Sequence, residues 1–242
     1  MANVIGIDCS HHNGTMNWSK TVSAGAKFAF VRAGSINATS GLLYTDYKFT
    51  ENANLAPTFL PVGFYFFFRS QWNAVNQANY FCDLIQGKKA LLPPVLDVET
   101  NDTLLSQSLF CIRIKTALDT IEARTGKIPI IYTSAGKWNP WAGKPTWASR
   151  YDLWIAHYTT RPQPYMPYSW ATWRFWQWSA DGNMRGPEFG GQSTSMDINY
   201  FLGDEITFNA YIGQATPPPT LTIDQRMDRI EKVAVEHGWI LP

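Results

Sequence analysis

Two carboxylates spaced two residues apart, Asp97 and Glu99, are the side chains of this chain best suited to chemistry. They end an apolar run that begins at Leu92, and both project from the same side because side chains on a strand alternate faces. Pro93 and Pro94 cannot donate to a central ladder, so the acids are expected at the carboxyl end of the strand. Two like charges this close raise at least one pKa, so one acid can stay protonated and protonate a leaving group, as glycoside hydrolysis requires. Acids that only cap a helix or pair with basic residues are the alternative.

Eight short runs rich in β-branched and aromatic residues predict eight strands, enough to close a barrel. They lie at Val4 to Asp8, Phe28 to Ala33, Val62 to Phe68, Val95 to Glu99, Ile128 to Thr133, Leu153 to His157, Arg174 to Trp178 and Met196 to Asn199. Helical length and periodicity are found between the early runs, at Tyr44 to Leu55, Asn73 to Gln86 and Leu105 to Arg124, the last followed by Gly126 as a stop. This alternation favours parallel βα units.

The later connections carry helix breakers instead. Residues 159 to 173 contain three prolines and residues 180 to 195 contain four glycines, so neither holds a good helix. We therefore predict an α/β barrel with about five βα units and three closing strands joined by loops, some of them antiparallel. With 242 residues and 45% hydrophobic composition, the chain is expected to form one main domain.

The barrel gives two further acids a location. Asp8 ends the first predicted strand and Asp197 lies in the last. Because the first and last strands of a closed barrel are neighbours, these two acids are expected to flank each other and to face Asp97 and Glu99 across the barrel mouth. Local roles are the alternative, with Asp8 capping the following turn and Asp197 making an Asx-type turn. The prediction is a bowl of four carboxylates at one rim.

Eight short motifs occur in a fixed order along the chain. They are Gly6–Ser10 with Gly14 and Trp18 downstream, Phe30–Ala33, Gly63–Phe67, Pro94–Glu99, Tyr132–Ser134, Leu153–Tyr158, Trp176–Ser179 and Asp197–Phe201. Each is weak alone, but the set in this order resembles glycoside hydrolase family 25, the Ch-type lysozymes or muramidases, over about residues 4 to 212. Two positions depart from the family pattern: Asn13 stands where Gln is usual, and Phe66 where His is common.

The resemblance implies an incomplete TIM-like barrel that cleaves the β-1,4 bond from N-acetylmuramic acid to N-acetylglucosamine in peptidoglycan. By position, Glu99 matches the general acid/base, Asp97 the second catalytic carboxylate, and Asp8 and Asp197 the supporting acids. Asp97 would stabilise an oxocarbenium-like centre, either as a nucleophile or by steering the substrate's own 2-acetamido group. Both routes predict retention of configuration, and neither needs a cofactor.

Aromatic residues favour a sugar groove. Eight of the eleven Trp residues lie between Trp138 and Trp178, although more than half are expected to fill the core there. Tyr65, Tyr132 and Gln177 are the predicted substrate contacts, because each lies in a motif near the carboxyl end of a strand.

Composition argues against other partners. A net charge of +1 without a basic stripe disfavours nucleic acid. The three Cys residues lack metal-binding spacing, and the adjacent His11 and His12 do not face together, so no disulfide framework, zinc site or other metal is predicted. No signal peptide is visible at the start and no apolar run reaches the roughly 20 residues of a membrane span. The expectation is a protein made in the cytoplasm that acts on the cell wall, either a phage endolysin released through a holin or a bacterial cell-wall enzyme exported in another way.

The end of the chain differs from the rest. We predict a catalytic barrel over residues 1–213, a stiff Pro-rich linker over 214–220 and a short helix over 221–242. Apolar residues of that helix follow alternating spacings of four and three, a seam that needs a partner, so the segment is expected to dock on the barrel, to pair with another chain or to fray. Self-association is favoured over docking because the linker holds the helix away from the catalytic domain.

Two other functions remain open from the sequence alone. A chitinase-like glycosidase also suits an Asp-x-Glu strand end, and a non-catalytic glycan-binding barrel would use the aromatics without the acids. Comparing release from peptidoglycan and from chitin would separate these possibilities.

Overall fold

The structure is a computed structural model that describes residues 3–214. Within that range the strands are β1 Val4–Cys9, β2 Phe28–Ile36, β3 Leu43–Thr45, β4 Val62–Phe68, β5 Val95–Val98, β6 Ile130–Thr133, β7 Leu153–Ala156, β8 Phe175–Ser179 and β9 Asp197–Phe201. The helices are α1 Trp18–Ser23, α2 Phe49–Leu55, α3 Ala74–Ile85, α4 Gln107–Thr125, α5 Ala135–Ala142 and α6 Glu205–Tyr211.

Eight of these strands close into a barrel, in the order β1-β9-β8-β7-β6-β5-β4-β2, and β1 pairs with β2 to complete the ring. Neighbours are parallel except at β9, which runs antiparallel to both β8 and β1. A helix follows each of the first five barrel strands, whereas β7, β8 and β9 are joined without an α-helix. The predicted TIM-like barrel with five βα units and three closing strands is confirmed.

The predicted helix from Tyr44 to Leu55 is wrong in its first part. Residues 43–45 form β3, which pairs antiparallel with β2, and α2 begins only at Phe49. Between them the Asp46 side chain accepts a hydrogen bond from the backbone N–H of Lys48 at 2.9 Å, a local turn that competes with helix. The other two predicted helices are confirmed as α3 and α4, and Gly126 ends α4 in the left-handed conformation with φ 67°.

The core has two layers on either side of the barrel wall. Inside the barrel lies a cluster of aromatic and aliphatic residues that includes Phe28, Phe30 and Phe175. Phe208 of α6 and Ile212, just after that helix, belong to the same cluster. A Cβ atom on residue 6 would lie 2.4 Å from the Phe28 ring, so only glycine fits at this position. The outer layer lies between the strands and the surrounding helices and loops.

The predicted linker over 214–220 and helix over 221–242 lie, apart from Gln214, outside the described residues. None of the helices within residues 3–214 has the length and apolar character needed to cross a membrane.

Candidate active site

The inward face of the barrel wall changes from apolar to polar along each strand. On β2, Phe28 and Phe30 are fully buried, and Arg32, two residues further on, lines an open cavity. On β5, Val95 is followed on the same face by Asp97 and then Glu99. The inward-facing residues are therefore buried and mostly aromatic in the interior of the barrel, and charged at the rim formed by the carboxyl ends of the parallel strands. We call the buried aromatic layer the aromatic floor.

The cavity at this rim has a volume of about 390 Å³ and is lined by all four acids predicted from the sequence, Asp8, Asp97, Glu99 and Asp197. The predicted substrate contacts Tyr65, Tyr132 and Gln177 line it as well. Asp8 and Asp197 are direct partners in the antiparallel β1–β9 ladder. The structure thus brings together every residue that the sequence proposed for the site.

Asp8 is the most completely hydrogen-bonded of the four acids. Its Oδ2 atom accepts from Gln177 Nε2 and from Asn199 Nδ2, both at 2.8 Å. Burial raises the pKa of Asp8 to about 6, an effect limited by the hydrogen bonds from Asn199, Gln177 and Asp197. Burial first, then the charge of Asp8 and the hydrogen bond to it, raise the pKa of Asp197 to about 9. Near neutral pH the proton of this pair therefore lies on Asp197, which donates to Asp8.

Gln177 connects Asp8 to two phenols. Its Oε1 atom accepts hydrogen bonds from the hydroxyls of Tyr132 and Tyr158, each at 2.8 Å. The side chain is only 3% exposed. Since both ends of the amide are bound within the protein, Gln177 lies behind Asp8, where it fixes the position of the carboxylate.

A parallel contact supports Asn199, the second donor to Asp8. Trp154 Nε1 donates to Asn199 Oδ1 at 2.7 Å, and the indole is stacked on Phe30 with ring centroids 4.4 Å apart. The aromatic floor therefore orients the polar network above it.

Asp97 and Glu99 form the second acid pair and differ in exposure. Asp97 is 3% exposed, and its Oδ1 atom is buried without a hydrogen-bond partner among the described residues. Burial, and then the charge of Glu99, raise the pKa of Asp97 well above its ordinary value. Glu99 is half-buried, and burial raises its pKa against the opposing charges of Lys137, Arg32 and Arg69. The pair consequently holds a proton to higher pH than an isolated carboxyl would.

Arg32, Trp154 and Tyr158 are cavity residues to which the sequence analysis gave no function. Arg32 carried a detectable signal, because the alternation Phe28, Phe30, Arg32 places it on the inward face. Tyr158 ends the motif Leu153–Tyr158, but it lies beyond the end of β7 at Ala156, so strand alternation could not place it in the cavity. Of the two departures from the family pattern, Asn13 lines the cavity and Phe66 is buried in the outer core layer.

The tryptophans of the second half are mostly core residues, as expected. Five of the eight between residues 138 and 178 are buried, namely Trp138, Trp154, Trp170, Trp173 and Trp176. Over residues 3–214, no group of three or more His, Cys, Asp or Glu side chains has an arrangement that could hold a metal ion.

Comparison with known proteins agrees with this geometry. The sequence model of the glycosyl hydrolases family 25 matches residues 7–187 of this chain. Lysozyme M1 of Streptomyces globisporus is 34% identical over 213 residues, which cover 83% of this chain and 68% of that protein. The N,O-diacetylmuramidase of Chalaropsis sp is 29% identical over 153 residues, covering 58% of this chain and 70% of that protein.

A solved structure extends the agreement to the fold. The bacterial lysozyme from Streptomyces coelicolor superimposes with a TM-score of 0.74 at 29% identity, covering 89% of this chain and all of that one. A barrel with a carboxylate-lined mouth and these relatives define a glycoside hydrolase of lysozyme type. The chain belongs to glycosyl hydrolases family 25.

Proposed function

We propose that this protein is a muramidase that hydrolyses the β-1,4 bond between N-acetylmuramic acid and N-acetylglucosamine in peptidoglycan, with Glu99 as general acid/base. The observation that carries the proposal is the meeting of Asp8, Asp97, Glu99 and Asp197 in one cavity whose carboxyls have raised pKa values. The similarity to a lysozyme and to an N,O-diacetylmuramidase supports peptidoglycan as the substrate.

The difference in exposure supports the roles proposed for Asp97 and Glu99. Glu99 is the more open of the two, so it is the acid that can reach a glycosidic oxygen in the cavity. The charge of Glu99 is one cause of the raised pKa of Asp97, and a proton on Glu99 therefore allows Asp97 to ionise. In the first step Glu99 donates its proton to the leaving oxygen while Asp97 stabilises the developing positive charge.

The second step regenerates the enzyme. Glu99, now ionised, accepts a proton from water as the water attacks the anomeric carbon. The intermediate is either a glycosyl ester of Asp97 or an oxazolinium ion formed by the substrate's 2-acetamido group, and both routes retain the anomeric configuration. Asp8, held by Gln177 and Asn199, adds a fixed negative charge to the same cavity.

The test is product analysis on purified peptidoglycan. Digestion should generate new reducing ends, mass spectrometry should identify them as N-acetylmuramic acid, and NMR of the first product should show a retained β configuration. Release of N-acetylglucosamine ends with equal cleavage of chitin would instead indicate a chitinase-like enzyme. Binding to both polymers without any release would indicate a glycan-binding barrel.

A further inference from the structure

Arg32 is a basic side chain in the wall of a cavity otherwise rich in acids. It lies on the inward face of β2, opposite Tyr65 in the β2–β4 ladder and beside a register shift between residues 32 and 34. Its Nη2 atom donates to the hydroxyl of Tyr44 at 3.2 Å. Tyr44 belongs to β3, so that short hairpin holds the guanidinium in place.

The guanidinium is held but not neutralised. Its Cζ atom lies 5.2 Å from the centre of the Phe67 ring, and its Nε atom is buried without a hydrogen-bond partner. Among the described residues Arg32 has no carboxylate within ion-pair distance, although four acids line the same cavity. Arg69 lies on the same phenylalanine ring at 5.0 Å and also has a buried Nε atom without a partner, but its Nη1 atom is paired with Asp102 at 2.5 Å. The absence of an ion pair is therefore what distinguishes Arg32.

Arg32 lines the cavity, and only its Nη2 atom donates a hydrogen bond to a described residue, so the guanidinium keeps N–H groups for an acceptor that enters the cavity. The guanidinium is a rigid planar fork suited to carboxylate and carbonyl oxygens, so the acceptor is expected to be an oxygen pair of the substrate. In an alternating polymer of N-acetylglucosamine and N-acetylmuramic acid, only the lactyl group of the muramic residue offers a carboxyl function. It is a free carboxylate in glycan without stem peptides and an amide carbonyl where a stem peptide is attached.

We propose that Arg32 binds the lactyl group of N-acetylmuramic acid and thereby selects muramic acid over N-acetylglucosamine at the cleavage site. This inference rests on the proposed muramidase function. It assigns Arg32 the role of a specificity-determining residue, and it makes β3 the element that positions it.

The test compares two substrates that differ only in the lactyl group. The first is peptidoglycan glycan freed of stem peptides with an amidase, and the second is the same glycan with its lactyl carboxylates reduced to alcohols. The native protein should show kcat/KM about tenfold or more higher on the carboxylate form, the usual scale of a charge-assisted hydrogen bond. Arg32→Gln should bring the ratio close to one, and Arg32→Lys should restore part of it.

Arg69→Gln is the matched control, since it removes a neighbouring cation that does not line the cavity and should keep the native ratio. Both rates are measured on one sample, so a partly folded variant does not distort the ratio. An unchanged ratio in Arg32→Gln, or equal rates of the native protein on both glycans, would overturn the inference while leaving muramidase activity intact. Failure of the native protein to cleave either glycan would overturn the proposed function and this inference with it.

Discussion

The two halves of the barrel differ in what covers the outside of the strands: helices in the first half, and loops with tryptophans in the second. From β1 to β6 every barrel strand is followed by a helix, and the long helices α3 and α4 cover the wall with buried side chains such as Phe81 and Phe110. From β7 to β9 the covering is loop, and tryptophans fill the space, as in the Trp173–Trp176 pair with ring centroids 5.8 Å apart. Backbone N–H and C=O groups in irregular loops need hydrogen-bond partners from elsewhere, whereas those within a helix bond to each other.

The indole N–H groups supply some of those partners. Trp170 Nε1 donates to the backbone carbonyl of Tyr151 and Trp176 Nε1 to that of His157, both at 2.8 Å. These residues therefore pack the wall and tie the loops to it at the same time.

The chemistry is divided between the halves in a similar way. The helix-bearing half supplies the Asp97 and Glu99 pair, and the other half supplies Gln177, Asn199 and Asp197, which hold Asp8. Substitutions can therefore change the Asp97 and Glu99 pair without changing the residues that hold Asp8, and the reverse.

The largest effect is expected from removing a tryptophan of the loop-covered half. Trp170→Ala deletes a buried side chain and its hydrogen bond to Tyr151, so the free energy of unfolding should fall by about 3–5 kcal/mol. Ile112→Ala on α4 is the control, because Ile112 is 57% exposed and its loss should be within about 0.5 kcal/mol. Equal losses in urea denaturation would show that the tryptophans do not stabilise this half in the way described.

The acid pair is the next target. Glu99→Gln preserves the shape of the side chain but has no proton to give, so turnover on peptidoglycan should drop by at least roughly 100-fold with the fold intact. In the native protein, activity should fall as the pH rises, because the raised pKa of Glu99 marks the point at which the donor is lost. Near-native turnover by a folded Glu99→Gln protein would refute the assignment of the general acid.

A smaller effect is expected in the supporting half. Gln177→Leu removes a donor to Asp8 and the acceptor of two tyrosines, and kcat should fall by about tenfold while KM changes little, since Gln177 is buried behind the acid. Tyr158→Phe removes only one of these hydrogen bonds and serves as the milder comparison. A rise in KM alone would mean that Gln177 contacts substrate directly, as the sequence analysis had it.

The halves also differed in what the sequence could predict. In the helix-bearing half, Asn73 and Gly126 mark helix ends through local hydrogen bonds and a left-handed residue, and such signals are readable without the fold. The four acids were placed correctly because strand ends and barrel closure fix them. The position of Tyr158 in the cavity, and its hydrogen bond to Gln177, depend on the path of an irregular loop across the rim. Residue spacing does not predict that path. The β3 hairpin was missed because an Asx turn at Asp46 interrupts an apparently helical stretch.

The Asp8 and Asp197 pair should produce a measurable pH effect on stability. The pKa of Asp197 rises from 3.8 to about 9 on folding, so between these values the native state keeps a proton that the unfolded chain releases. The free energy of unfolding must therefore decrease as the pH rises through this window. Asp197→Asn cannot ionise and keeps a donor for Asp8, so at pH 8 it should be more stable than the native protein by at least about 1 kcal/mol, with no advantage at pH 3. If thermal unfolding gave the native protein and Asp197→Asn the same dependence of stability on pH, the proton would not lie on Asp197.

The smallest effect is expected at the end of the chain. Phe208 of α6 and Ile212, which follows the helix, are buried against the barrel interior, and a protein that ends at Gly213 keeps both of these side chains. It should remain folded and cleave short soluble muropeptide oligomers at a rate close to that of the full chain. Because the sequence after Pro219 favours an apolar helix seam, the segment is predicted to serve association or wall targeting, and any deficit should appear on intact cell walls. Sedimentation of both forms tests association directly. If the shortened protein unfolds or loses activity on soluble oligomers, the segment belongs to the catalytic domain and the boundary at residue 213 is wrong.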